Sequence, residues 1–402
     1  MKSIFIDSSG CTENIIDGAI IKNIAEADGY IQIKDPAEAD LIVFNTCAFK
    51  QEQEDLCIKR IMEFEKLKKE NAKIVVCGCL VGINKEKLDR YFQGPSFGPT
   101  ELRKFYNIVN TGKPEKINEE NHITRDIAEH EMFGTRAIVE RIYDVKKYLK
   151  KKTRIDFLPN FNVYNYIGDE KTLYVRISRG CNNNCGYCAI RFAQGRLMSQ
   201  PMEEILTTIQ KGIKEGYDKV FLVGTNTSQY GMDIGTTFFE LLERILQVEG
   251  DFKIIVHNFE PQGIEKHPEE FLRLFSSPRI LSFYCPINSG SQNVLNRMNR
   301  DYDIRKIFAI IKRLKEKNGK TLIRSEFIVG YPGEKWKDFF ETVSLIRKSG
   351  FSYTDLHKYS PRPGIHSLML DQQVGTFVKE LRFILVNLVV FFRISIKMLR
   401  PF

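Results

Sequence analysis

Short apolar runs that alternate with helical segments constrain the fold of this chain more than any other feature of its sequence. In the first 90 residues, "ADLIVFNTC" and "AKIVVCGC" have the length of strands and lack polar alternation, and the charged helical segment "EQEDLCIKRIMEFEKLKKENA" separates them. Continuous apolar strands are typical of parallel sheets that are buried on both faces. The repeated strand–helix order therefore predicts an open parallel α/β domain at the N-terminus.

The same alternation resumes at residue 170 and continues to about residue 370. Its strand candidates are "TLYVRIS", "KVFLVGTN", "KIIVHNF", "ILSFYCPI", "TLIRSEFIVG" and "YTDLHKYS", with helical segments between most of them. About six β/α units in roughly 200 residues predict a full or partial (β/α) barrel, in which the active site lies at the C-terminal ends of the strands.

The predicted boundaries divide the 402 residues into four segments. An N-terminal α/β domain covers residues 1–140, a basic linker residues 141–169, the partial barrel residues 170–370, and a basic and apolar tail residues 371–402. The linker contains "VKKYLKKKTR", with six basic residues in a chain of formal net charge +9. Such a run suits a polyanion such as RNA, although a solvated linker has the same composition.

The two ends of the chain bear on its location. The N-terminal "MKSIFIDSSG" is interpreted as a strand that runs into a turn, not as a signal peptide. The apolar run "FILVNLVVFF" in the tail is too short to span a bilayer. We therefore expect a soluble, cytoplasmic protein without a membrane partner. Two interpretations of the tail stay open: one helix that covers a hydrophobic groove, or an out-of-frame or foreign end.

Three of the nine cysteines stand close together in "GCNNNCGYC". Both the total of nine and the group of three limit what the cysteines can do. An odd cysteine count without a secretory signal argues against a disulfide framework. Structural zinc normally takes four ligands, so a degenerate zinc knuckle is the weaker interpretation. Cys181, Cys185 and Cys188 instead fit a [4Fe–4S] cluster with one open iron. Gly180 and Gly186 would let the short loop wrap such a cluster.

This pattern resembles the radical S-adenosylmethionine enzymes. The resemblance rests on the C-x3-C-x2-C spacing after the first barrel strand and on the aromatic Tyr187 before the last cysteine. It implies that the open iron chelates the amino and carboxylate groups of S-adenosylmethionine. One electron from the cluster then cleaves the sulfonium and yields a 5′-deoxyadenosyl radical that abstracts hydrogen.

The N-terminal segment narrows the resemblance to the methylthiotransferases. Cys11, Cys47 and Cys79 each lie at a strand end or in the loop after it, and parallel strand ends can converge at one sheet edge. Each alone would more often be a buried small hydrophobe. Together they predict a second three-cysteine [4Fe–4S] site, which in this family is thought to carry the inserted sulfur. The family's Gly-Cys pattern favours Cys79 over Cys77 as a ligand.

Four further stretches resemble the family in order: "VGTNTSQYG", "NSGSQNVLNRMNR", "IRSEFIVGYPGE" and "KYSPRPG". The resemblance implies that Asn226 and Ser289 or Ser291 hydrogen-bond the ribose and amino-acid portions of S-adenosylmethionine. It also implies that Arg324 meets the carboxylate and that Gly330 lets the backbone approach adenine. Each has a structural alternative: Gly330 belongs to an ordinary turn, and Arg324 pairs with Glu326. Two other cysteines, Cys57 in a helix and Cys285 in a strand, are interpreted as structural.

The chain also departs from the family pattern. Gln194 and Gln200 stand where arginines are common, near the expected substrate mouth, and residues 94–105 match no familiar branch. Family members usually end in a small RNA-binding β-barrel, and the tail from about residue 370 lacks the alternation of barrel strands.

The sequence as a whole predicts a radical S-adenosylmethionine methylthiotransferase with two [4Fe–4S] clusters. The predicted substrate is position 2 of a modified adenosine near the anticodon of a tRNA, with a flavodoxin or ferredoxin as electron donor. Two alternatives stay open: methylthiolation of a ribosomal protein, and a truncated, non-catalytic iron–sulfur protein. A tRNA substrate predicts binding that weakens steeply with salt.

Overall fold

A computed structural model describes residues 2–109, 122–123 and 171–399, with side chains described up to residue 390. The described chain forms two α/β units, each built around its own sheet. The basic run at residues 145–154 and the predicted linker at 141–169 lie outside the described residues.

The N-terminal unit contains a five-stranded, fully parallel sheet in the order β2-β1-β3-β4-β5. Every residue of β3 is buried, because helices cover both faces of the sheet. The predicted open parallel α/β domain is therefore confirmed. The strands are β1 (Lys2–Ser8), β2 (Tyr30–Gln32), β3 (Leu41–Thr46), β4 (Lys73–Gly78) and β5 (Ser96–Phe97). The helices are α1 (Thr12–Ala27), α2 (Gln51–Leu67), α3 (Cys79–Ile83), α4 (Lys85–Asp89) and α5 (Lys104–Val109).

The second unit is an open barrel of six parallel strands, with a short antiparallel strand at one edge, in the order β14-β13-β12-β11-β10-β7-β6. The predicted partial (β/α) barrel is confirmed. The strands are β6 (His122–Ile123), β7 (Thr172–Arg176), β10 (Lys219–Val223), β11 (Lys253–Val256), β12 (Ile280–Asn288), β13 (Leu322–Val329) and β14 (Tyr353–Lys358). A separate hairpin pairs β8 (Ser178–Arg179) with β9 (Met198–Ser199).

Helices on the outside of the barrel bury apolar stripes against these strands, as the helical spacing predicts. They are α7 (Met202–Lys214), α8 (Phe238–Leu246), α9 (Pro261–Lys266), α10 (Pro268–Phe275), α11 (Gln292–Arg297), α12 (Ile304–Lys317), α13 (Trp336–Lys348) and α14 (Thr376–Leu399). The short helix α6 (Ile190–Gln194) instead packs against α3 of the N-terminal unit. Among the described residues, none of these helices combines the length and apolarity that crossing a bilayer requires.

The two units share one apolar core and several buried ion pairs. Tyr174, Phe221 and Ile255 of the barrel pack in the same cluster as the inner residues of α1 and β1. The stretch 94–105, which matched no familiar branch, belongs to this interface, because its Phe97 and Phe105 are buried in the same cluster. The N-terminal unit is thus docked directly onto the barrel.

The tail forms one helix, α14, which corresponds to the helical alternative of the sequence analysis. Its Arg382 guanidinium lies 2.6 Å from the Glu334 carboxylate, and both side chains are buried. Burial raises the pKa of Glu334 to about 7, although the Gly330 N–H and Arg382 favour its charged form. Val386 is fully buried as well. The buried side chains of α14 are therefore part of the barrel's packing.

Candidate functional site

Cys181, Cys185 and Cys188 lie in the loop between β8 and α6, which glycine allows to fold tightly. Gly180 has a φ of +77°, and a Cβ there would lie 2.0 Å from the Arg196 carbonyl oxygen. A Cβ at Gly186 would lie 2.7 Å from the Tyr331 hydroxyl. Because both positions exclude a side chain, the loop can wrap closely around its three thiols, as the sequence predicts.

Replacing Gly180 with alanine is expected to lower the iron bound at this loop by at least half. The new Cβ must displace the Arg196 carbonyl, and the positive φ adds about 1–3 kcal/mol of strain. Gly216→Ala is the matched control, because its φ is +97° and its Cβ would meet nothing within 4 Å. Iron per chain after anaerobic reconstitution measures the difference. Equal iron in the two variants would show that the tight loop is not required.

Nitrogen donors point at the sulfurs of this loop. The Cys181 Sγ accepts the Asn183 backbone N–H and the Asn226 side-chain amide, each at 3.4 Å. The Cys185 Sγ accepts from the Arg300 guanidinium at 3.5 Å. Hydrogen bonds of this kind orient and tune thiolate ligands of iron–sulfur clusters. The donor set therefore fits a bound cluster.

The thiols of this loop lie close enough to influence one another. Burial, together with the neighbouring Cys185, raises the pKa of Cys181 to about 11 and that of Cys188 to about 12. Ligand binding to iron requires the thiolate and so releases these protons. Three crowded, desolvated thiols are what a cluster site presents before metal binds.

The second group converges at the carboxyl edge of the N-terminal sheet. Cys11 is the N-cap of α1, Cys47 directly follows β3, and Cys79 is the first residue of α3 after β4. Gly10 has a φ of +110°, and a Cβ there would lie 2.8 Å from the Cys47 Cβ. Glycine thus lets the loop that carries Cys11 approach Cys47 closely.

The thiols of this second group lie close enough to influence one another's pKa. Desolvation by the surrounding protein, together with Glu13 and Cys47, raises the pKa of Cys11 to about 12, although the residue is solvent-accessible. Burial first, then Cys47 and Cys11, raise the pKa of Cys79. By contrast, Cys77 is buried in the apolar cluster that includes Val75.

Neither group has the geometry of a mononuclear metal site. Among the described residues, no three His, Cys, Asp or Glu side chains are placed to share a single metal ion. In a [4Fe–4S] cluster each thiolate binds a different iron, so the ligands stand farther apart than those of one ion.

Hydrogen bonds connect the two groups across the interface of the units. The Thr225 hydroxyl accepts the N–H of Gly180, next to Cys181, at 3.0 Å. The same hydroxyl donates to the carboxylate of Glu13, two residues after Cys11, at 3.0 Å. The two cysteine groups thus face the same interface.

Comparison with known proteins identifies the family. The model for the Radical SAM superfamily matches residues 175–346, and that for Uncharacterized protein family UPF0004 matches residues 3–96. A "Probable threonylcarbamoyladenosine tRNA methylthiotransferase" of Pyrococcus abyssi is 30% identical, covering 94% of this chain and 82% of its own. This chain belongs to the radical S-adenosylmethionine methylthiotransferase family. Its cofactors are two [4Fe–4S] clusters and S-adenosylmethionine. When bound, they would supply a radical, through one-electron cleavage of the sulfonium of S-adenosylmethionine.

Two further proteins are similar to this methylthiotransferase, one in sequence and one in solved structure. The "tRNA-2-methylthio-N(6)-dimethylallyladenosine synthase" of Caldicellulosiruptor saccharolyticus is 30% identical, covering 95% of this chain and 76% of its own. The solved structure of the radical S-adenosylmethionine methyltransferase TsrM from Kitasatospora setae aligns with a TM-score of 0.59 at 12% identity. It covers 91% of this chain and 77% of that chain, which shows a shared fold.

Three of the residues predicted to contact S-adenosylmethionine form hydrogen bonds to other protein groups in this structure. Ser289 and Ser291 are buried, and their hydroxyls pair with Thr342 and Asp338 of α13. Asn226 donates to a cysteine sulfur, as described above. The two serines thus stabilise α13 in this structure, and their proposed cofactor contacts stay predictions.

Arg324 and Gly330 also have protein partners. Arg324 pairs with Asp355 at 2.6 Å, not with Glu326 as the structural alternative predicted. Its guanidinium lies over the ring of Tyr284. Gly330 has a φ of +79°, and a Cβ there would lie 2.4 Å from the Lys379 side chain of α14. The tail helix thus packs on the turn that was predicted to approach adenine.

Sequence reasoning missed the polar interior of the barrel. The Tyr284 hydroxyl donates to Glu326, and His357 lies 3.5 Å from the same carboxylate. Desolvation lowers the pKa of His257 to about 3, with a further contribution from Arg324. Tyr187, which was predicted at the cofactor, is partly buried against the cluster that includes Ala189 and Ala193, and desolvation raises its pKa well above the usual value.

Two ionisable residues beside the barrel cysteines were also missed. Arg300, which bonds the Cys185 sulfur, pairs with the Glu260 carboxylate. Glu260 follows β11, whereas Arg300 lies between α11 and α12, and their pairing joins loops 40 residues apart. Only the fold brings them together.

Proposed function

We propose that this methylthiotransferase inserts a methylthio group at position 2 of a modified adenosine near the anticodon of a tRNA. In this proposal Cys181, Cys185 and Cys188 hold the cluster that generates the radical. A second cluster on Cys11, Cys47 and Cys79 supplies the sulfur, and a flavodoxin or ferredoxin supplies the electrons. The observation that carries the proposal is the presence of two three-cysteine groups at one domain interface.

The named relatives favour a tRNA substrate over a ribosomal protein. Both relatives described above are named for modified tRNA adenosines, threonylcarbamoyladenosine in one and N(6)-dimethylallyladenosine in the other. The arginine of "IRSEF", Arg324, resembles the ribosomal-protein branch, but in this structure it is paired with Asp355. Polar side chains that include Arg324 and His357 line this part of the barrel, so it suits the polar threonylcarbamoyl group better than the apolar dimethylallyl group.

The test is an anaerobic reaction with S-adenosylmethionine, a reductant and one of four substrates. These are tRNA with threonylcarbamoyladenosine, tRNA with dimethylallyladenosine, unmodified tRNA, and a ribosomal protein. We expect 5′-deoxyadenosine and a methylthiolated nucleoside by mass spectrometry with the first tRNA. Product on the ribosomal protein alone would support the alternative substrate. Assembled clusters without 5′-deoxyadenosine would support a non-catalytic protein.

Binding of tRNA is expected to weaken by at least 10-fold between 50 and 200 mM salt. The reason is that each phosphate contact made by lysine or arginine releases counterions. Filter binding over a salt series measures the slope of log affinity against log salt concentration. A flat slope would contradict recognition of a nucleic-acid backbone.

A further inference from the structure

Gln194 lies at the interface between the two cysteine groups. It is the last residue of α6, which begins two residues after Cys188, and its side chain is 1% exposed. Its amide nitrogen lies 3.7 Å from the Sγ of Cys79 in the other unit. The backbones of α3 and α6 also approach closely, since a Cβ at Gly82 would lie 2.6 Å from the Ala193 Cα. The sequence-based expectation that Gln194 lies near the substrate mouth is therefore not what the structure shows.

The orientation of the Gln194 amide follows from its other neighbour. Arg179 donates from Nη1 to the amide oxygen of Gln194 at 3.0 Å. A guanidinium can only donate hydrogen bonds, so the amide oxygen must face Arg179. The amide N–H groups are then left to face the Cys79 sulfur.

Arg179 is itself held in place by the N-terminal unit. It donates to Asp17 of α1 at 3.2 Å and to the Pro99 carbonyl at 3.0 Å. Asp17 also accepts from Arg176 at 2.7 Å, and all three charged side chains are buried. A continuous chain of hydrogen bonds therefore runs from Asp17 through Arg179 and Gln194 to Cys79.

We propose that Gln194, a residue of the barrel, is a positioning residue that sets the reduction potential of the cluster in the N-terminal unit. The inference rests on the proposed cluster at Cys11, Cys47 and Cys79. Hydrogen bonds to cluster sulfurs are among the factors that set reduction potential. A donor at the Cys79 sulfur stabilises the reduced state, which carries more negative charge, and thus raises the potential.

The experiment uses the full chain with Cys181, Cys185 and Cys188 replaced by alanine, so that only the N-terminal cluster is observed. Gln194→Ala and Gln194→Glu are compared with Gln200→Ala, a glutamine six residues later whose side chain is partly exposed. Iron is counted first, and the cluster potential is then measured by a redox titration monitored by electron paramagnetic resonance. We expect a more negative potential for Gln194→Ala and a larger shift for Gln194→Glu, because a carboxylate repels the reduced cluster.

The outcomes separate this inference from the proposed function. If the parent chain with the three alanines binds no iron, the proposed N-terminal cluster fails. If the parent binds about four irons and Gln194→Ala keeps both iron and potential, Gln194 has no such role and the inference is overturned. The inference is also overturned if Gln200→Ala shifts the reduction potential as much as Gln194→Ala does. A shift confined to the Gln194 variants, at unchanged iron content, supports the inference.

Discussion

Replacing Cys181, Cys185 and Cys188 together with alanine is expected to lower the iron content from about eight to about four atoms per chain. The same variant is expected to lose all cleavage of S-adenosylmethionine. The reason is that the two cysteine groups belong to different units, so that each binds its cluster without help from the other's thiols. Iron and acid-labile sulfide after anaerobic reconstitution, together with 5′-deoxyadenosine formed under reductant, measure both effects.

The remaining cysteines provide matched controls for this prediction. Replacing Cys57, Cys77 and Cys285 together removes three buried thiols that belong to neither group, and should leave about eight irons per chain. Replacing Cys11, Cys47 and Cys79 should also leave about four irons but preserve the cleavage of S-adenosylmethionine. If the unmodified protein bound about four irons and the variant without Cys181, Cys185 and Cys188 bound none, the protein would hold only one cluster. The proposal that a second cluster supplies the sulfur would then lose its support.

Asp17→Asn is expected to lower the free energy of unfolding by about 3 kcal/mol or more, since removing one partner of a buried ion pair strands the other charge. Asp17 pairs with both Arg176 and Arg179, and its side chain is 1% exposed. The isosteric asparagine keeps the shape of the site but leaves two buried guanidinium groups without that carboxylate. Chemical denaturation followed by circular dichroism measures the loss.

Asp89→Asn is the matched control, because it also removes one carboxylate charge but from an exposed ion pair. Asp89 pairs with Lys85 on the surface, and both side chains are about half exposed. Pairs of this kind contribute about 0–1 kcal/mol. Equal losses in the two variants would show that the Asp17 network does not hold the N-terminal unit against the barrel.

The sequence predicted much of the fold and the two cysteine groups, because the patterns that indicate them lie within short stretches of chain. Strand-length apolar runs separated by helices specify parallel strands, and the structure has them where the pattern placed them. The cysteine spacing around residue 185 and the cysteines after β1, β3 and β4 indicate two groups from the sequence alone. Parallel strand ends meet at one edge, so their convergence required no knowledge of side-chain packing.

Side-chain partners across the chain were not predictable in the same way. Asp17 and Arg176 stand 159 positions apart, and Glu54 and Arg362 stand 308 apart. Ser289 and Ser291 have the chemistry of cofactor contacts, yet their hydroxyls pair with Thr342 and Asp338 of α13. A residue type states which bonds a side chain can form, but only the packed fold decides which partner is within reach.

The sequence by itself determined the strand order along the chain, the two cysteine groups and the family, because each depends on local periodicity or spacing. Only the tertiary structure decided how the units dock, that the tail is a helix seated on Gly330, and that Gln194 faces the Cys79 sulfur. These features depend on which distant side chains burial brings together, since a buried charge or amide must find a partner within hydrogen-bonding distance.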